Sequence, residues 1–119
     1  MDRVRFREFE GKKIIVMDID NCSIEEFEAV LVTSAEMIRK EPLGSVLSLA
    51  AGGNGTPIFT NRELFVEYLK LNEPHMKASV VSGLPKMKAA LFQTVVFITG
   101  RQLKMFDTME EAFNWLVAQ

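Results

Sequence analysis

Residues Lys77 to Trp115 read KASVVSGLPKMKAALFQTVVFITGRQLKMFDTMEEAFNW, and this stretch decides the fold. An apolar strand, Lys77 to Val81, runs into Gly83-Leu84-Pro85, where Pro85 near the first helical position starts a helix. Met87, Leu91, Phe92, Val95 and Val96 form its expected buried stripe, and Gly100 is the expected C′ residue. Leu103 to Phe106 then reads as a short edge strand. Thr108 with Glu111 three residues on reads as a capping box, opening a last helix docked by Ala112, Trp115 and Leu116.

Working outward, the same alternation continues toward the N-terminus. Val4 and Phe6 alternate with charges, Glu10-Gly11 supplies a turn, and Lys13 to Asp18 (KIIVMD) is a nearly continuous apolar run. This predicts a hairpin whose first strand is half exposed and whose second is buried on both faces. Ser23 and Glu26 make a capping box, and Ile24, Phe27, Val30, Leu31, Met37 and Ile38 lie on one helical stripe. Pro42 and Gly44 end that helix, and Ser45 to Ala51 is the next buried strand. A glycine-rich loop, Gly52 to Pro57, leads to Thr60, whose spacing to Glu63 predicts another capping box before the helix of Leu64, Phe65, Tyr68 and Leu69. The order ββαβαβαβα implies an α/β domain of three layers, with a mostly parallel sheet and an antiparallel N-terminal edge strand.

Composition sets the outer limits. The chain has 119 residues, 48% hydrophobic and 25% charged, as one folded domain over 1–119 requires. A formal charge of −2 lacks the basic footprint of a nucleic-acid-binding surface. The apolar run Val95 to Ile98 is far short of the roughly 20 residues that span a bilayer, and MDRVRFREFEG carries no apolar signal core. With its single cysteine, Cys22, the expectation is a cytoplasmic protein without disulfide or membrane segment.

The segments FEGKKIIVMDI and IRKEPLGSVLSL, together with the C-terminal block quoted first, resemble the SpoIIAA-like proteins. Those are relatives of the STAS domain of anti-sigma-factor antagonists and, more distantly, of lipid-binding CRAL-TRIO domains. The resemblance implies a STAS-like fold and a noncatalytic protein-binding or regulatory role. In STAS antagonists a serine at the start of the helix after the third strand is phosphorylated by a partner kinase. The matching region here is Phe59-Thr60-Asn61-Arg62, without an Asp-Ser-Ser signature, and the preceding AAGGNGTPIF is more glycine-rich than the family pattern.

Function is expected where the strand C-termini meet helix N-termini, at Asp18 to Ser23, Gly52 to Thr60 and Ser82 to Leu84. Thr56, Thr60 and Asn61 are the candidate phosphoacceptor or partner-binding residues, although capping alone explains Thr60. The glycine loop lacks the Gly-Lys-Ser/Thr of a P-loop and the spacing of a dinucleotide site, and reads as a lid, a contact surface or a tolerant surface loop. Asp18, Asp20 and Cys22 cluster, but the lone His75 belongs to the opposite end of the following strand and reads as solvent-facing. Neither a metal site, a Cys-His pair nor a Ser-His-Asp set can be assembled, so no enzyme and no cofactor is expected. The helix after Pro85 is apolar around much of its circumference. Leu84, Met87, Leu91, Phe92 and Val95 therefore pack in the core, meet a protein partner or a second copy, or line a site for a nonpolar, lipid-like ligand. Two functions remain open on these grounds: a STAS-like regulatory module, and a small carrier or sensor of a nonpolar ligand.

Overall fold

Glu10 and Gly11 turn the chain with φ of 49° and 78°, the two-residue loop whose twist matches a hairpin. They join β1 (Val4–Phe9) to β2 (Lys12–Asp18), antiparallel and in register from Val4 opposite Met17 to Phe9 opposite Lys12. The computed structural model describes residues 2–58, 61–98 and 103–119. After the hairpin come α1 (Ile24–Ile38), β3 (Val46–Ala51), α2 (Arg62–Asn72), β4 (Met76–Ser82), α3 (Lys86–Ile98), β5 (Lys104–Phe106) and α4 (Met109–Val117). A 3-10 turn, Glu73–His75, was not read from the sequence.

The sheet runs β1-β2-β3-β4-β5, with every pair after the hairpin parallel. Each crossover steps the same way across the sheet, so the right-handed rule sends α1, α2 and α3 to one face. Side-chain alternation agrees with this. Ile15 and Met17 of β2 join Phe27, Val30 and Ile38 of α1, Phe65 of α2 and Phe92 of α3 in one cluster. Ile14 and Val16 turn the other way, where Leu47, Leu49 and Val80 meet Ala112, Phe113 and Leu116 of α4. Burial on both faces explains why KIIVMD reads as a continuous apolar run. Three rings, one from each helix, join the first layer: Phe27 lies 6.3 Å from Phe65 and 6.1 Å from Phe92, and Phe65 lies 5.4 Å from Phe92.

Helix starts follow the capping chemistry with one correction. Ser23 Oγ accepts the Glu26 amide at 3.1 Å while Glu26 Oε1 accepts the Ser23 amide at 3.0 Å, the reciprocal box expected. Thr108 Oγ1 accepts the Glu111 amide at 3.2 Å. The cap of α2 is Asn61 rather than Thr60: its Oδ1 accepts the Leu64 amide at 3.2 Å, and the helix begins one residue later than its spacing suggested. Asparagine caps at least as well as threonine, so the neighbouring residue takes the role. Pro85 sits just before α3, its carbonyl accepting the Ala89 amide at 2.9 Å. Thr60, Gly100 and the side chain of Val95 lie outside the described residues.

Candidate functional site

The three strand C-termini converge, and the glycine loop is pinned between them. Asp20 Oδ1 accepts the amides of Asn21 and Gly55, each at 2.9 Å, which ties the loop after β3 to the one after β2. Gly52 donates its amide to the Ser82 carbonyl at 2.8 Å, and Gly83 donates to Phe106 at 2.9 Å. Lys88 Nζ reaches from α3 to donate to the carbonyls of Asn54 and Thr56. The glycines answer to close approach rather than mobility: a Cβ on Gly53 would meet the Asp20 carboxylate, and one on Gly83, at φ +79°, would meet the Gly52 carbonyl. This loop was read as a lid, a contact surface or a tolerant surface loop; its bonds describe a ledge tied to the neighbouring loops and to α3.

The candidate residues separate on this ledge. Thr56 is 0% exposed, and its Oγ1 accepts the Gly53 amide at 3.0 Å, so its hydroxyl organises the loop from inside. Asn61 is exposed at the start of α2. Met87 and Leu91 leave the stripe assigned to them, at 75% and 45% exposure, while Phe92 and Val96 are buried. Helical geometry explains the difference, because 92 and 96 lie one turn apart on the sheet side, and 87 and 91 lie one turn apart about 140° around the helix. Leu84 is half-buried against the first core cluster.

Between the N-terminal halves of α2 and α3 runs a groove of about 180 Å³, lined by Pro57, Ile58, Arg62, Phe65, Lys88, Leu91, Phe92 and Thr94. Ile58 is 55% exposed at its mouth. Among the described residues of the lining, the charged ones, Arg62 and Lys88, are basic. The rings of Phe65 and Phe92, edge to face at 74°, line this groove and also a deeper cavity of about 60 Å³ between the helices and the sheet. Ser48, Ala50 and Ser79 form part of its floor, and the small size of these strand residues leaves the room. Asn72 lines it too, with Oδ1 accepting from Arg39 Nε at 3.3 Å and Nδ2 buried without a partner.

Asp18, Cys22 and His75 each have structural partners. Asp18 pairs with Arg3 at 3.3 Å, and its Oδ1 accepts the Asp20 amide at 3.1 Å. Burial pushes the Cys22 thiol pKa up, the Arg3 charge opposing, and Sγ lies 3.4 Å from the Ile19 carbonyl it donates to. His75 is half-buried rather than solvent-facing, its Nδ1 2.9 Å from the Glu41 carbonyl oxygen. Among the described residues no group of three or more His, Cys, Asp or Glu is placed to hold a metal ion. No described helix is long and apolar enough to cross a membrane.

Sequence reading singled out Leu91 and Phe92 but missed Ile58, Arg62, Phe65 and Lys88. The available signal was Lys88 in a helix rich in apolar residues, and Arg62 at the start of the helix beside it. Comparison of the chain with protein-family models, with curated proteins and with solved structures finds no match.

Proposed function

We propose that the chain is a noncatalytic, STAS-like binding module that docks a protein partner at the groove between α2 and α3. One observation carries the reading: exposed Ile58 and Leu91 flank an apolar groove whose charged residues, among those described, are Arg62 and Lys88, both basic. Monomeric proteins seldom leave grouped apolar side chains in water without a use for them. The matching partner surface is a short amphipathic segment with apolar anchors and acidic flanks. The STAS resemblance adds a regulatory role for Thr60. Phosphate there would bring about −1.5 to −2 charge two residues from Arg62, opposing an acidic partner.

The test is affinity capture from a lysate of the source cells with the full chain and with Leu91→Asp, followed by intact-mass measurement of the native protein. A partner held by the first and lost by the second supports the reading, and a mass gain of one phosphate on Thr60 supports the switch. Capture of nothing under any growth state, or equal capture by both chains, removes it.

A further inference from the structure

We propose that the docked partner is a second copy of this chain, related by a two-fold axis that lays the acidic α1 of one copy along the basic groove between α2 and α3 of the other. This rests on the docking reading and names the segment that docks. Among the described residues, most of the large apolar side chains left in water sit on the helical layer: Val32 on α1, Leu71 on α2, and Met87, Leu91 and Phe97 on α3. Phe97 is 85% exposed. A stable interface takes about 800 Å² from each partner, close to one whole face of a molecule measuring 34 × 29 × 27 Å. The strip on α3 is too small by itself, so all three helices take part.

Charge selects the arrangement. α1 carries Glu25, Glu26, Glu28 and Glu36 and no basic residue, whereas α3 carries Lys86 and Lys88 and no acidic one. α2 is balanced, Glu63 and Glu67 against Arg62 and Lys70, so α1 and α3 decide between the possible axes. Among the described residues Glu25, Glu28, Arg62 and Lys88 are in no ion pair, and Lys88 is held by two loop carbonyls that leave its charge uncancelled. Because β2, β3 and β4 are parallel, the three helices that follow them start from the same rim of the sheet. A two-fold parallel to the helices therefore turns Glu25 and Glu28 of one copy over Lys88 and Arg62 of the other. A two-fold across the helices would set α1 on α1 and α3 on α3, like charge on like. Val32, one turn beyond Glu28 and 50% exposed, supplies the apolar anchor for Ile58 and Leu91 in the groove. Both halves of the contact lie on one layer, so the axis makes it twice and closes the pair.

Sedimentation equilibrium of the full chain, across about 1 μM to 1 mM, should give a monomer–dimer equilibrium without larger species. Arg62→Glu should weaken the dimer about tenfold or more, and so should the double change Glu25→Lys with Glu28→Lys. Circular dichroism checks that each variant keeps the native fold, and Glu28→Lys alone, outside the first turn of α1, serves should the double variant unfold. Mixing the two charge variants should bring association back to within about threefold of the original chain, because one contact then keeps its native charges and the other has them exchanged. Leu91→Asp should leave a monomer. A chain that stays monomeric throughout, a dimer that ignores all these changes, or a mixture that fails to reassociate overturns the inference. Capture of a different protein by a monomeric chain, lost with Leu91→Asp, removes the second copy alone and leaves the docking reading intact.

Discussion

Asp20 Oδ1 lies 2.9 Å from the Gly55 amide nitrogen, and this bond makes the loop after β3 a continuation of the loop after β2. The same oxygen accepts the Asn21 amide, so one carboxylate satisfies two backbone donors. Replacing Asp20 with Ala should cost about 1–2 kcal/mol, read as a lower denaturant midpoint. Gly55→Ala should cost about 1–3 kcal/mol, because its Cβ would press on the Asn21 backbone nitrogen and the Asp20 carboxylate. A loop that tolerated both changes would not be the ledge on which the groove rests.

Adjacent residues of α3 should behave oppositely. Phe92, buried against Phe27 and Phe65, should cost about 3–5 kcal/mol when changed to Ala. Leu91, open to solvent at the groove, should cost less than about 1 kcal/mol on the same change. Thermal unfolding of the two variants separates them. Similar losses would mean that Leu91 is a core residue and the groove is closed.

Acid should loosen the start of α1 in a defined direction. The Ser23 amide bonded to the Glu26 carboxylate, with the Ser23 hydroxyl and Arg3 adding to it, holds the Glu26 pKa below the usual carboxylate value. The folded state therefore binds this proton less readily than the unfolded one. The stability it brings is complete above the ordinary glutamate range and is lost as pH falls through the lowered folded value. Glu26→Gln should flatten the pH dependence of stability in that interval, measured by denaturation at successive pH values. An unchanged slope would remove Glu26 from the acid response.

Asn72 offers the opposite kind of prediction. Its Nδ2 is buried with no acceptor, and it lines the inner cavity. Asn72→Leu removes that unpaired donor and adds apolar contact, so it should stabilise the protein by about 1 kcal/mol even though Arg39 loses its 3.3 Å bond. Asn72→Ala should give no such gain, because it enlarges the cavity. Chemical denaturation of both variants checks the contrast.

The layered fold was legible because each cue is local. The KIIVMD run, the Ser23–Glu26 spacing and Pro85 each mark an element by a few neighbouring residues. The site was harder to read, because it is made by residues that meet only in three dimensions. Ile58 follows a strand, Arg62 starts α2, and Lys88 and Leu91 come from α3. Periodicity alone placed Met87 and Leu91 with Phe92 on a buried stripe. It did not reveal that the sheet covers only the arc holding Phe92 and Val96. Thr56 read as a candidate phosphoacceptor or partner contact because nothing in its neighbours shows that the loop folds inward around it.

The place of α4 on the second face of the sheet sets a timetable for synthesis. As the polypeptide leaves the ribosome, each of α1, α2 and α3 follows closely on a strand it helps to cover. Ile14, Val16, Leu47, Leu49 and Val80 must wait until residues 109–117 emerge before α4 can shield them. A nascent chain thus carries a bare aliphatic strip until α4 has emerged, and chaperone contact or misassociation competes with its docking.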